Sequence, residues 1–373
     1  MVAKKRQSNF ELLRIIAMFL IILHHSVMHG LILSGVLQAQ SIVKRIEITQ
    51  LALFGKVSVG IFVMITGYFM INSQYSPAKS RKRLKNLWLQ LFFYSTLILA
   101  LALSRHWVVL NWNNGVQAIL PVLTNLWWFA TVYVLLYVVM PYLNLLLNQL
   151  TKQQYSKLVI ILLSLGSIYP TFFRNYNAIS DSDIDNLLLF VMFYVIGAYF
   201  RKYTFKNAHK ERKIAWLTFI STLALNLGQA SLLGYISYRT SNMLYLERSE
   251  ALNNTSSITV TLLAVSLFVI FKHINLQFSP TINNLALTTF GIYLIHDHPF
   301  IRQKLWYEWF NIPNLFAKYS FGSFVWHVLL IVTLIFISCA AIEWCRLWLF
   351  KKLAKTTTLV NKEKIQVILN INK

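Results

Sequence analysis

The chain has 373 residues, 57% of them hydrophobic and only 13% charged, with a formal charge of +23. A soluble protein carries about 25% charged residues, so this composition excludes an ordinary soluble domain and points to an all-α, polytopic integral membrane bundle. The positive charge does not indicate nucleic acid, because most Lys and Arg lie in short clusters between apolar runs, as cytoplasmic loops do.

Apolar stretches of about 18 residues or more read as membrane helices. They predict ten crossings, over 11–33, 48–72, 87–105, 126–147, 157–173, 186–203, 213–235, 256–273, 283–301 and 323–349. The start, MVAKKRQSNF before an apolar run, resembles a signal peptide. The run continues through Leu33 without a small-residue cleavage site, so an uncleaved first helix is expected.

The first span, NFELLRIIAMFLIILHHSVMHG, is the unusual one. It carries Glu11, Arg14, His24, His25 and His29 in or beside hydrocarbon, where an ionisable group costs about 2.5–3.5 kcal/mol to insert. Arg14 and His25 are eleven residues apart, which on an α-helix is ~20° from whole turns and ~16 Å along the axis. They share one face at two depths. Glu11 lies one turn before Arg14, and His24 points ~100° away from His25. Taken alone, Arg14 also reads as an arginine reaching lipid phosphate, and His25 as a hydrogen-bonded core histidine. Together on one stripe they suit chemistry: a neutral imidazole as general base for a hydroxyl, and a guanidinium for a phosphate-bearing donor.

The loops give the bundle a direction. Lys4, Lys5 and Arg6 precede the first span. Arg81, Lys82, Arg83 and Lys85 lie between the second and third. Arg201, Lys202, Lys206, Lys210, Arg212 and Lys213 lie between the sixth and seventh, and Lys351, Lys352 and Lys355 follow the tenth. With ten helices all fall on one side, the cytoplasmic one, and both termini are inside. The opposite loops hold most of the acids, Asp181, Asp183, Asp185, Glu247 and Glu250, together with Trp107 and Trp112 as interface anchors. Residues 1–355 are expected to form one membrane domain and 356–373 a short basic cytoplasmic tail. Cys339 and Cys345 lie six apart in the last span, on different helix faces, and give neither a disulfide framework nor a metal site. No P-loop, zinc-binding helix or nucleophile-elbow motif occurs.

Arg14, ten residues, then His25 in the first helix, with acidic Glu11 three before the Arg, resembles the hallmark of the acyltransferase family 3 membrane proteins. KVSVGIFVMITGYFMI at 56–71 resembles the family's second helix, with Thr66 where Ser is usual and Ile61 where an Asp is common. SRKRLKNLW resembles its basic stretch before helix 3, and NLWWFATVYVLLYVVMP its fourth helix, through Trp128, Phe129, Tyr133 and Pro141. FGIYLIHDHP resembles its late-helix segment and contributes His296. The likeness spans about residues 7–350. The soluble esterase-like domain appended to some members is absent.

The resemblance implies a bacterial cell-membrane O-acyltransferase that moves an acyl group, expected to be acetyl, from cytoplasmic acetyl-CoA to a hydroxyl of an extracytoplasmic surface glycan. His25, Arg14 and Glu11 are then the catalytic set. Arg14, Arg81, Arg83 and Trp128 would hold the acyl-CoA; Thr66, Tyr133 and His296 would meet the substrate. No metal is expected. The partners implied are the bilayer, the glycan acceptor and glycan-assembly proteins. The rival reading is an exporter of polysaccharide or lipid-linked sugar, which predicts broken helices at matched places in two halves. A non-catalytic partner of a glycan-assembly complex is a third reading, but it leaves the Arg14–His25 stripe unexplained.

Overall fold

A computed structural model describes residues 6–73, 76–173, 183–205 and 207–371. The side chains of 183–185 and of residues from 354 onward lie outside the described residues, as do Lys4, Lys5, Asp181 and Lys206. The acids expected at 181, 183 and 185 and the basic tail therefore receive no structural account.

Every regular element among the described residues is helical. The chain runs through α1 (Ser8–Val27), a π turn (Met28–Ile32), α2 (Ile42–Met70), α3 (Pro77–Ser104), α4 (Trp112–Ile119) and α5 (Trp128–Gln149). It continues with α6 (Lys152–Leu163), a second π turn (Ser164–Ile168), α7 (Tyr169–Phe173), α8 (Asp183–Lys202), α9 (Ala208–Thr240), α10 (Leu244–Ser249) and α11 (Ile258–Lys272). It closes with α12 (Pro280–Leu285), a 3-10 turn (Ala286–Thr288), α13 (Thr289–His296), α14 (Pro299–Gln303), a third π turn (Lys304–Trp309), α15 (Ile312–Lys318) and the long α16 (Phe321–Ile371). Helix starts follow capping chemistry: Ser41, Ser76, Asn207 and Ser257 each accept from a backbone N–H of the first turn.

Among the described residues seven segments are long and apolar enough to cross a membrane: Ser8–Ile32, Ile42–Met70, Pro77–Ser104, Trp128–Gln149, Lys152–Phe173, Ala208–Thr240 and Phe321–Leu353. They match seven of the ten predicted spans. Of the other three, 186–203 is α8, 256–273 is the fifteen-residue apolar α11, and 283–301 is not one helix. That last region breaks for a local reason. Pro299 has no N–H to continue α13, and His298 before it is extended at φ −63°, ψ 133°. The break leaves Asp297 and His298 in the joint between α13 and α14.

The bundle centres on α2, two-thirds (67%) of whose most apolar stretch is buried, against 22% for α9. The outward sides of α9 and α16 keep Leu217, Leu225, Leu330 and Ile337 exposed, the surface a lipid-facing helix presents. Helix α2 packs on α1 and α8. Glycine sets the second contact: a Cβ on Gly67 would come within 2.1 Å of the Tyr194 carbonyl, and one on Gly197 within 2.1 Å of the Met64 carbonyl. The close approach at Gly67 is therefore backbone against backbone.

The basic clusters converge on one end. Phe10 of α1 packs tilted against Tyr68 of α2 with ring centroids 4.7 Å apart, and Arg201 of α8 lies 5.1 Å over the same ring. Arg83 of α3 donates to Ser73 at 3.2 Å, and Lys272 of α11 bonds Glu211 of α9 at 2.9 Å. The opposite end holds His29, Asp297, Trp107 and Trp309, the two tryptophans 5.9 Å apart.

Candidate active site

The site is built along α1, whose polar side chains sort by depth. At the basic end Glu11, 2% exposed, is clasped between two arginines. Arg6 Nε donates to one of its oxygens at 3.0 Å, and Arg14 Nη1 to the other at 3.2 Å. The three-residue spacing of Glu11 and Arg14 makes this pair a one-turn neighbour contact. Glu11 thus holds Arg14, and Arg6 is a second partner from just before the helix.

Three turns deeper, His24 and His25 part company. His24 donates Nδ1–H to the Ala52 carbonyl at 2.8 Å. Its ring fills the space over Gly55, where an added Cβ would lie 2.1 Å from the His24 Cβ. It is a packing residue between α1 and α2. His25 turns the other way, to α13. Its Nδ1 lies 2.9 Å from Nε2 of His296, and the two rings are 5.1 Å apart. His296 is fully buried, and its Nδ1 lies 2.6 Å from the Ile292 carbonyl.

These bonds fix the tautomers. A carbonyl can only accept, so His296 carries its proton on Nδ1 and presents a bare Nε2. With both rings neutral, His25 donates from Nδ1, and its own Nε2 is the unprotonated nitrogen. Asp297, 4% exposed, completes the group. Its Oδ1 lies 3.1 Å from His29 Nε2, 3.5 Å from His25 Nδ1 and 3.8 Å from Arg302 Nη1. His25, His29 and Asp297 offer atoms all within 4.8 Å of one another, a spacing a cation also tolerates. In this arrangement His25 Nδ1 and His29 Nε2 are engaged by His296 and Asp297. The Tyr307 hydroxyl donates to the His29 carbonyl at 2.6 Å and ties the third π turn to this corner.

An aromatic file joins the two depths. Tyr293 is 6.4 Å from His25 and 5.7 Å from Phe129, which stacks on Tyr133 at 5.6 Å. Tyr133 touches Tyr137 at 5.0 Å. Phe129, Tyr133 and Tyr137 recur at every fourth position and so form one stripe of α5. Its first residue faces the His25 end and its last the arginine end. Thr66 sits beside the file, its hydroxyl 2.7 Å from that of Tyr133, and its own proton goes to the Phe62 carbonyl at 3.0 Å.

The expected site residues are thus distributed unevenly. Glu11, Arg14 and Arg83 lie towards the basic end, His25 and His296 towards the other, and Thr66 and Tyr133 lie between. Trp128 stands at the His25 end of α5, against Phe129 and Phe190, away from Arg14 and Arg83. Arg81 is exposed. Sequence reasoning missed Asp297, although it follows His296 directly in the quoted IHDHP, and it missed Tyr137, one turn beyond Tyr133. It also missed a buried ion pair on α16. Glu343 is wholly buried, takes two bonds from Arg346 at 2.6 and 2.7 Å, and accepts from Gln90 at 3.0 Å and from Tyr94. An acid and a base three apart in an apolar span were the available signal.

Comparison with known proteins bears on this arrangement. A family model described as an acyltransferase domain matches residues 7–344, nearly the whole chain. No curated protein and no solved structure matches it. With its apolar helices and the match across almost its full length, the chain belongs to acyltransferase family 3 and is a multi-pass membrane acyltransferase.

Proposed function

We propose that this protein moves an acetyl group from cytoplasmic acetyl-CoA to a hydroxyl of a cell-surface glycan, working in the bacterial cytoplasmic membrane with ten crossings and both termini inside. The observation that carries the reading is the placement of a basic imidazole nitrogen and an arginine pair at opposite ends of one aromatic file. Donor phosphates sit at the arginine mouth, with Arg14 and Arg83. The thioester reaches past Tyr137 and Tyr133 to His25, where the sugar hydroxyl arrives from the far side.

His25 Nε2 takes the hydroxyl proton as the oxygen attacks the thioester carbonyl. The tetrahedral adduct collapses, the C–S bond breaks, and the imidazolium returns the proton to the departing thiolate, releasing CoA and the O-acetyl ester. His296 holds the ring in the tautomer that makes Nε2 the base. The Asp297 carboxylate, 3.5 Å from Nδ1, stabilises the imidazolium that forms, as a carboxylate behind a histidine does in hydrolase triads. General-base catalysis of this kind contributes roughly 10²–10⁴-fold.

The test is His25→Ala at matched membrane level, with the O-acetyl content of surface glycan read by NMR. Loss of the acetyl signal is expected. Acetylation at the wild-type level would remove His25 from catalysis and the reading with it.

A further inference from the structure

The corner at Asp297 has the makings of a metal site. His25 closes α1 and His29 lies four residues on, in the π turn that follows, so their rings fall on one side of the chain, 5.3 Å apart. Two histidines at this spacing on one helical face are a recurrent clamp for zinc. The third member, Asp297, comes from the joint between α13 and α14, 268 positions from His29. No continuous stretch of sequence therefore announces the set.

The distances suit an ion. Zinc binds imidazole nitrogen and carboxylate oxygen at about 2.0–2.2 Å, so two ligands of a tetrahedral ion stand about 3.3–3.5 Å apart. Asp297 Oδ1 lies 3.1 Å from His29 Nε2 and 3.5 Å from His25 Nδ1, and the three atoms lie within 4.8 Å of one another. A separation of 3.5 Å is long for an N–H···O hydrogen bond, so the carboxylate stands beside His25 Nδ1 at ligand spacing while that nitrogen bonds His296. Two nitrogens and one oxygen fit zinc better than magnesium or calcium, which take oxygen ligands. The Tyr307 hydroxyl, 2.6 Å from the His29 carbonyl, steadies the backbone of one ligand. The side chains of His25 and His29 are 12% and 15% exposed, which gives an ion an approach. One neighbour opposes a cation: Arg302 Nη1 lies 3.8 Å from Asp297 Oδ1, but its side chain is 39% exposed and free to turn towards solvent.

We propose that His25 Nδ1, His29 Nε2 and Asp297 Oδ1 form a zinc site, and that zinc bound there reversibly stops acyl transfer. Without the ion, His25 donates from Nδ1 to His296 and keeps Nε2 bare. Zinc takes the Nδ1 lone pair, so the proton of the ring stands on Nε2, and that nitrogen no longer accepts one from a hydroxyl. His29 in the same way carries its proton on Nδ1 when Nε2 binds the ion. Both rings stay neutral and no proton is released. The ion and the His25–His296 hydrogen bond exclude one another: the two nitrogens are 2.9 Å apart, and an ion at Nδ1 pushes its neighbours out to about 3.4 Å. Zinc binding does not depend on the reaction. Its inhibitory effect rests on the general-base role proposed above for His25.

The first measurement uses the purified full-length protein in lipid nanodiscs, stripped with a chelator and titrated with Co2+, whose visible absorption is strong in four-coordinate sites and weak in water. Wild type should take up a single Co2+ per chain with that absorption, and Zn2+ should bleach it. His29→Gln, which keeps an N–H for Asp297, should weaken binding by about tenfold or more, since even an outer partner of a metal ligand carries that much. Arg302→Gln removes the opposing charge and should tighten binding, a gain that a misfolded protein cannot mimic. The second measurement follows radiolabelled acetyl from acetyl-CoA into glycan in open membrane fragments of the producing cells. Zn2+ should stop transfer in wild type, a chelator should restore it, and Mg2+ should do nothing. Half-inhibition of His29→Gln should need about tenfold more Zn2+. Absence of the Co2+ absorption, or equal affinity in wild type and His29→Gln, would overturn the site. Zinc bound without loss of transfer would overturn the switch. Metal binding as expected, in a protein that transfers no acetyl even without metal, would instead overturn the acyl-CoA reading and leave the site standing.

Discussion

His25 is one of three histidines within six residues, and its partners make it different from the others. His24 spends its proton on a helix carbonyl, and His29 faces the Asp297 carboxylate. Only His25 has a second imidazole behind it, itself anchored on the Ile292 carbonyl. His296→Phe keeps the ring volume and removes the acceptor. It should lower kcat by about 10- to 100-fold, part of the general-base contribution, with KM for both substrates nearly unchanged. His296→Gln, which still offers an acceptor, should recover part of the loss; a rise in KM without loss of kcat would place His296 in substrate binding instead. Glu11, Arg14 and His25 were legible from sequence because they share one helix, where spacing alone dictates face and depth. Asp297 and His296 were not assignable in the same way. Their contact with His25 spans more than 270 positions of chain, and no helical period relates residues on different helices.

Elements show the same division between local and distant information. Runs of hydropathy locate α2, α3, α5, α9 and α16 because a helix's length and lipid exposure are properties of its own residues. They are blind to the joint at His298–Pro299 inside an apolar run, yet that joint turns Asp297 towards His25. The α3–α16 contact carries another hidden feature, the Glu343–Arg346 pair. Removing one member of a buried pair strands the other charge and costs about 3–5 kcal/mol. Arg346→Met should therefore lower the thermal midpoint in detergent sharply, while Glu343→Leu with Arg346→Met should regain most of it. A double variant no more stable than Arg346→Met would mean that the two charges are not energetically coupled.

At the scale of the whole molecule, charge distribution and packing agree on an axis. The N-terminus of α1, the C-termini of α2, α8 and α11, and the N-termini of α3 and α9 meet at one end, and that end bears the basic loops. Phe93 of α3 packs against Phe350 of α16, their rings 5.4 Å apart. In the proposed orientation, which follows the positive-inside rule, the end with the basic loops faces the cytoplasm. In a background without the native cysteines, Lys79→Cys should react with an impermeant maleimide only after cell lysis, and Asn113→Cys should react in intact cells. The reverse pattern would invert the bundle and the direction of transfer. A further consequence follows from the rings between the two charged clusters. A molecule that passes a chemical group through its own interior must not become a leak for ions. Between the arginines and the His25–Asp297 corner stand Tyr133, Phe129, Phe290 and Tyr293, packed at 5.6–6.4 Å. A naked charge entering that stretch gives up its hydration and finds little to replace it, whereas an uncharged thioester loses almost nothing. In the proposed mechanism the aromatic file is thus electrical insulation, which lets the membrane keep its voltage while an acyl group goes through.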